Sequence, residues 1–184
     1  MATRKIAVLV GSLRKESFTR RLAKNLMLLA PPTLELEIVE IGDLPMYNED
    51  LETDAAPPTW REFRARIREA DGVLFCTPEY NRSVPGVLKN AIDVGSRPYG
   101  QAAWNGKPCA VVSNSPGALG GFGANHAIRQ CLVFLNMPCM PSPEAYVGAI
   151  GGKLDGERLT DESARSFLQQ FMECFATWVE RHAD

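Results

Sequence analysis

Histidine is scarce in this chain: His126 and His182 are the only two, and neither stands at a metal-ligand spacing from a cysteine or from the other. That excludes a histidine-based metal centre, which needs several such ligands at short, regular intervals. Cysteine is limited to five scattered residues (Cys76, Cys109, Cys131, Cys139 and Cys174) with no C-x-x-C pair. Three of them lie in apolar runs, where a free thiol behaves as a small hydrophobe. Free thiols point to a reducing compartment, so the expected location is cytoplasmic. No apolar run approaches the length that crosses a bilayer, and Arg4 and Lys5 lead at once into a strand-like segment. Neither a membrane span nor a signal peptide is expected. An excess of positive charge is also missing, since 20 Lys and Arg face 22 Asp and Glu for a net −2. A dedicated nucleic-acid binder would carry a basic surplus, so nucleic acid is not an expected partner.

Three site signatures are absent as well. There is no G-x-x-x-x-G-K-[ST], which removes support for nucleoside triphosphate hydrolysis, and no G-x-G-x-x-G of an ordinary dinucleotide fold. Without G-x-S-x-G, a hydrolase nucleophile has no support either. His126 near Cys131 reads as a helix residue close to a buried thiol rather than as a catalytic pair.

What is present is an alternation of strand-like and helix-like segments. The chain has 184 residues, 45% hydrophobic and 23% charged, enough for a sizeable core in one soluble domain over residues 1–184. Ile-Ala-Val-Leu-Val at 6–10 is a continuous apolar run, as a strand buried on both faces reads. A helix is expected over 19–29, with Leu22, Leu26 and Leu29 on one face. Over 34–40, Leu34, Leu36 and Ile38 alternate with Glu35 and Glu37, which predicts a strand at a sheet edge. Residues 43–59, rich in Pro, Asp and Glu, read as a long surface loop.

Trp60, Phe63 and Ile67 then recur at helical spacing, with Arg61, Arg64, Arg66 and Arg68 mostly on the remaining faces. Glu62 and Glu69 interrupt these arginines, so the expectation is a solvated helix face. Further buried strands are expected at 73–76 and 109–112. A helix begins near Pro85, and another runs through Ile128, Leu132 and Leu135. A last short strand falls between 137 and 147. Phe167, Phe171 and Phe175 form one ridge of the final helix, widened by Leu168, Met172, Trp178 and Val179. The pattern predicts an α/β fold: a three-layer α/β/α sandwich around a five-stranded parallel sheet in the order 2-1-3-4-5.

In such a sheet, ligands bind beyond the carboxyl ends of the strands where the order reverses. The loops after the first, third and fourth buried strands therefore matter most. Residues 11–19 offer Gly11 for a tight turn, the hydroxyls of Ser12, Ser17 and Thr19, free N–H groups at a helix start, and the charged fork of Arg14. Together they suit a phosphate dianion; the plainer reading is a Ser/Thr-rich helix cap beside a surface arginine. In residues 77–86 two prolines stiffen a loop that carries Tyr80 and Asn81, suited to the edge of a flat heterocycle. Tyr80 as a mere cover for the core is the alternative. The third loop, 113–121, has glycines that let its backbone approach a ligand closely, or that simply make it mobile. A phosphate cradle with no metal site, nucleophile or evident base implies that a cofactor carries the chemistry.

Gly-Ser-Leu-Arg-Lys-x-Ser-Phe at 11–18, Thr-Pro-Glu-Tyr-Asn-x-Ser-Val-Pro-Gly-x-Leu-Lys-Asn-Ala-Ile-Asp at 77–93 and Ser-Pro-Gly-x-x-Gly-Gly at 115–121 resemble the NAD(P)H-dependent FMN reductase family, and within it the bacterial chromate/quinone reductase branch. The resemblance implies a flavodoxin-like fold that binds FMN non-covalently and takes electrons from NAD(P)H. It implies that Gly11, Ser12, Leu13, Arg14, Ser17, Phe18 and Thr19 form the phosphate loop. Pro78, Glu79, Tyr80 and Asn81 would line the isoalloxazine, largely through backbone groups, and Ser115 with Gly117 would close the other side. Thr19 stands where the family usually has Asn, and Val94 where an aromatic residue is common.

The implied activity is two-electron, ping-pong reduction of quinones, with chromate, azo compounds or free flavin as further acceptors. Hydride transfer through flavin N5 leaves no side chain with an acid or base role. The implied assembly is a homodimer or homotetramer with no membrane partner. A flavodoxin-like single-electron carrier is the alternative, although the near-neutral charge offers no strongly acidic docking surface.

Overall fold

The computed structural model describes residues 3–183. Five strands, β1 (Arg4–Val10), β2 (Leu34–Ile38), β3 (Gly72–Thr77), β4 (Cys109–Asn114) and β5 (Ala145–Val147), form one sheet in the order β2-β1-β3-β4-β5. Every pairing in it is parallel. This is the flavodoxin-like topology expected from the alternation, with β2 at an edge and its Glu35 and Glu37 exposed.

Five helices cover the sheet: α1 (Phe18–Leu29), α2 (Pro58–Glu69), α3 (Gly86–Gly95), α4 (Phe122–Phe134) and α5 (Glu162–His182). Side chains alternate across a strand, and the two cores follow that alternation. Ile6, Val8, Val10, Leu74, Cys76 and Val112 pack with Leu22 and Leu26 of α1 and with Phe171 and Phe175 of α5. Ala7, Leu9, Val73, Phe75 and Val111 pack on the other face with α2, α3 and α4. Burying each such large side chain contributes about 1.5–3 kcal/mol, so the central strands hold both layers together.

Three expectations need correction. Phe167 is 37% exposed and lies outside the ridge that Phe171 and Phe175 form, because α5 turns it toward solvent. Arg64 does not belong to a solvated face: it is buried, with its guanidinium bidentate to Glu52 at 2.8 and 2.6 Å and Nε donating to the Val94 carbonyl at 2.8 Å. The 43–59 loop contains a helical turn at Glu49–Leu51, and that turn positions Glu52 for this pairing. An antiparallel hairpin, β6 (Leu154–Asp155) with β7 (Arg158–Leu159), was not expected. Asn25 of α1 holds it, accepting the Leu159 N–H at 2.9 Å and donating to the Glu157 carbonyl at 2.8 Å.

Candidate functional site

Strand register brings the three loops to one edge. Val10 pairs with Cys76, Thr77 with Ser113, and Asn114 with Val147, so β1, β3, β4 and β5 end nearly level. The order reverses between β1 and β3, which places the crevice there. The loops also touch. A Cβ on Gly11 would meet the Pro78 ring and the Thr77 hydroxyl, each at 3.3 Å, so the first loop packs directly on the second. A Cβ on Gly123 would come 2.5 Å from the Arg82 carbonyl oxygen, so the second loop packs on the start of α4.

In the first loop, the Ser17 hydroxyl caps α1, accepting the Arg20 N–H at 3.1 Å, and retains its own proton to donate. The helix-cap reading is therefore correct for Ser17, and it does not compete with anion binding. The N–H groups of Phe18 and Thr19 lie ahead of the first helical hydrogen bond, where orphan donors and the helix dipole favour an anion. Ser12 and Thr19 are buried, and their hydroxyls have no protein partner among the described residues. Arg14 is exposed, with no carboxylate or other partner among the described residues. Two members point elsewhere. Leu13, 57% exposed, rests its side chain on Gly42, and the Phe18 ring packs on the turn at Gly151.

The second loop is a tight hairpin. Tyr80 and Ser83 exchange both backbone hydrogen bonds, at 3.2 and 3.0 Å, around Asn81 and Arg82, whose φ values are +52° and +64°. Two consecutive left-handed residues are the signature of a primed turn. Tyr80 is 47% exposed, so it does not serve as a cover for the core. The Glu79 carboxylate accepts the Ala124 N–H at 3.0 Å, which ties this loop to α4.

The third loop is pinned rather than free. Ser115 N–H donates to Val147, Ile150 N–H to the Ser115 carbonyl, and Ala149 N–H to Gly117, at 3.1–3.2 Å. Ser115 Oγ accepts the Gly117 N–H at 3.1 Å.

Two features of this rim had no sequence signal. Asn114, at the end of β4, is buried, and its Oδ1 has no donor among the described residues. A buried acceptor left alone costs about 1–3 kcal/mol, which marks a place for a donor from a bound group. His126 does not face Cys131: it shares a 3.0 Å hydrogen bond with the Tyr146 hydroxyl and packs on Phe122 at 4.3 Å between centroids. Cys131 instead donates to its own helix at Ala127. Burial and then the Glu144 carboxylate push the Tyr146 hydroxyl up, so it stays protonated at neutral pH.

The family model for NADPH-dependent FMN reductases matches residues 4–152, a span that contains all three loops. The chain belongs to that family. As a member it is an oxidoreductase that uses FMN and draws electrons from NAD(P)H. A quinone reductase of Pseudomonas putida is 64% identical over 175 residues, 95% of this chain and 94% of the relative. A 2-hydroxy-1,4-benzoquinone reductase of a Burkholderia species is 45% identical over 176 residues, 95% and 96% of the two chains. Among solved structures, the flavoenzyme NAD(P)H:(acceptor) oxidoreductase of Paracoccus denitrificans superposes with a TM-score of 0.92 at 43% identity, covering 99% of this reductase and 100% of that chain. The residues of the rim fit FMN. An unpaired guanidinium and a helix N-terminus suit its phosphate, and the orphaned Asn114 acceptor suits a ring N–H.

Proposed function

We propose that this reductase is an NAD(P)H:quinone reductase moving two electrons at a time, with residues 1–184 forming one FMN-binding domain. The convergence of three loops on one sheet edge, with Arg14 lacking a partner among the described residues, carries the reading. The acceptor class is supported by the relatives, whose names specify a quinone in Pseudomonas putida and a hydroxybenzoquinone in Burkholderia.

In this reading the first loop takes the phosphate. Arg14 supplies charge-assisted hydrogen bonds, Ser12, Ser17 and Thr19 donate through their hydroxyls, and Gly11, Leu13 and Phe18 contribute backbone. The backbone of Pro78, Glu79, Tyr80 and Asn81 lines one side of the ring system, and Ser115 with Gly117 closes the other. Bound FMN supplies hydride acceptance and release. The chain's own work is to orient the reactants and to stabilise negative charge through N–H donors, so no side chain acts as acid or base. The exposed aromatic faces of Tyr80 and Phe122 border the same edge and suit a planar acceptor.

Donor and acceptor use one open surface in turn, which makes the scheme ping-pong and extends it to chromate, azo compounds and free flavin. A single-electron carrier has less support, because a net charge of −2 provides no strongly acidic docking surface. We place the protein in the cytoplasm on the strength of its free cysteines; no described helix is long and apolar enough to cross a membrane.

We further propose that it forms a homodimer or homotetramer. The support is an apolar face on α4, where Phe134 is 83% exposed beside a cleft lined by Ile92, Arg97 and Leu135. Sedimentation at micromolar concentration tests it, and a monomer there would refute it. For the activity, initial rates with NADPH and benzoquinone varied together should give parallel double-reciprocal lines. Intersecting lines would overturn the ping-pong scheme, and no quinone-dependent oxidation would overturn the acceptor assignment.

A further inference from the structure

We infer that Cys109 and Cys139 form a redox-active dithiol, a modification site that hydroperoxides oxidise to an intramolecular disulfide. The pair stands apart from the flavin edge: Cys109 opens β4, whereas the third loop follows the far end of that strand.

Backbone pairing sets the geometry. Cys109 and Cys139 are direct partners in a parallel bridge. The Cys109 N–H donates to the Pro138 carbonyl at 3.0 Å, and the Met140 N–H to the Cys109 carbonyl at 2.8 Å. Directly paired residues project to the same face, and both pack in the core layer that contains α4. Adjacent strands lie about 4.8 Å apart, inside the range of about 4.4–6.8 Å that disulfides span between Cα atoms. Each thiol perturbs the other's titration, raising Cys109 and lowering Cys139, as side chains in close proximity do. Cys76 and Cys131 are arranged differently. Cys76 is fully buried, and Cys131 donates to its own helix.

The site is asymmetric in a way that assigns roles. Cys139 is partly exposed and Cys109 fully buried, so Cys139 meets a reagent first. Arg129 Nη1 donates to Cys139 Sγ at 3.4 Å and to the Met140 carbonyl at 3.0 Å, while Nε is held by Asn125 Oδ1 at 2.9 Å. The Glu144 carboxylate stands 3.9 Å from Nε and only partly offsets this charge. The Cys109 S–H and the Arg129 guanidinium draw the Cys139 thiol below its ordinary range, whereas burial pushes Cys109 up. That is the layout of an attacking thiolate beside a resolving thiol. Arg129 Nη2 is also buried, with no acceptor among the described residues. An oxygen added to the neighbouring sulfur arrives beside a donor that lacks a partner.

The chemistry balances with a hydroperoxide as the sole oxidant. The Cys139 thiolate attacks hydrogen peroxide, the O–O bond breaks, and hydroxide leaves as water after taking a proton, giving a sulfenic acid. The Cys109 sulfur then attacks Cys139, the S–O bond breaks, and the Cys109 proton leaves with the hydroxide as a second water. Two thiols and one peroxide yield one disulfide and two waters.

The test uses the full chain loaded with FMN. After hydrogen peroxide treatment, thiols are alkylated under denaturing, non-reducing conditions and the digest is mapped by mass spectrometry. Two of the five cysteines should be lost, with the Cys109 and Cys139 peptides joined and lighter by two hydrogens, and dithiothreitol should restore both. In Cys109→Ala, dimedone should trap Cys139 as a sulfenic acid. In Cys139→Ser, Cys109 should stay fully alkylatable. Over-oxidation of Cys139 beside an intact Cys109 in the unmodified protein would overturn the assignment, as would consumption of Cys131 or Cys174 ahead of the pair. None of these readouts passes through the flavin, so they stand or fall independently of the proposed activity.

Discussion

Glu79 in the second loop caps the helix that follows the third: its Oε2 accepts the Ala124 N–H at 3.0 Å. Gly121 occupies the cap position of α4 with φ +79° and has no side chain to offer, so a residue 42 positions earlier satisfies the orphan donor. One carboxylate thus joins two of the three loops. Replacing Glu79 by Ala should cost about 1 kcal/mol, the usual worth of a helix cap, and Glu79→Gln should cost less. Urea denaturation of the two variants checks this.

Arg14 has no counter-charge among the described residues, so its removal should spare the fold and weaken cofactor binding. A charged hydrogen bond contributes about 1.5–3 kcal/mol, so Arg14→Ala should raise the Kd for FMN about 10- to 100-fold. Fluorescence titration with FMN reads the loss. An unchanged Kd together with an unchanged urea midpoint would remove Arg14 from the phosphate loop.

Much of this edge was legible in the sequence because its signals are local. Unbroken apolar runs marked the central strands, alternating glutamates marked β2 as the edge, and the three candidate loops lie at the carboxyl ends of the strands, where a sheet of this order puts them. The failures involve partners distant in sequence. Arg64 looked like a surface residue because its burial depends on Glu52, 12 positions earlier, and on the Val94 carbonyl, 30 positions later. The orphaned Asn114 acceptor leaves no trace in composition or spacing. The β6–β7 hairpin has only two residues per strand, too few to show a period.

The Arg64 pairing carries its own expectation. Arg64→Ala strands the Val94 carbonyl and a carboxylate on Glu52 that is itself largely buried. Breaking a buried pair from one side costs about 3–5 kcal/mol. The urea midpoint should fall accordingly, while FMN affinity of the folded fraction stays the same, since α2 is remote from the loop edge.

Gly120 has φ +60°, and a Cβ there would lie 2.6 Å from the Tyr146 carbonyl carbon. Gly120→Ala should therefore destabilise by more than the roughly 1 kcal/mol that a left-handed φ alone costs, and should disorder the third loop. Gly86 has open space around it, and Gly86→Ala should be neutral or slightly stabilising. Parallel thermal melts separate the two.

Acid sensitivity should trace in part to Asp161. It caps α5 by accepting the Ala164 N–H at 2.8 Å, and that bond, followed by the Ser163 hydroxyl, lowers its carboxyl below the usual 3.8. A depressed folded value means that the contribution is complete above the unfolded value and fades as pH falls through the folded one. Asp161→Ala should be less stable than the parent at pH 7, with the gap closing below about pH 4. Melting both proteins across that window decides it.

The most direct test of the central claim is an anaerobic absorption titration of the FMN-loaded protein, with NADPH added first and a quinone second. The flavin band should bleach with one equivalent of NADPH and return with one equivalent of quinone. A bound flavin that NADPH leaves unbleached would contradict the account.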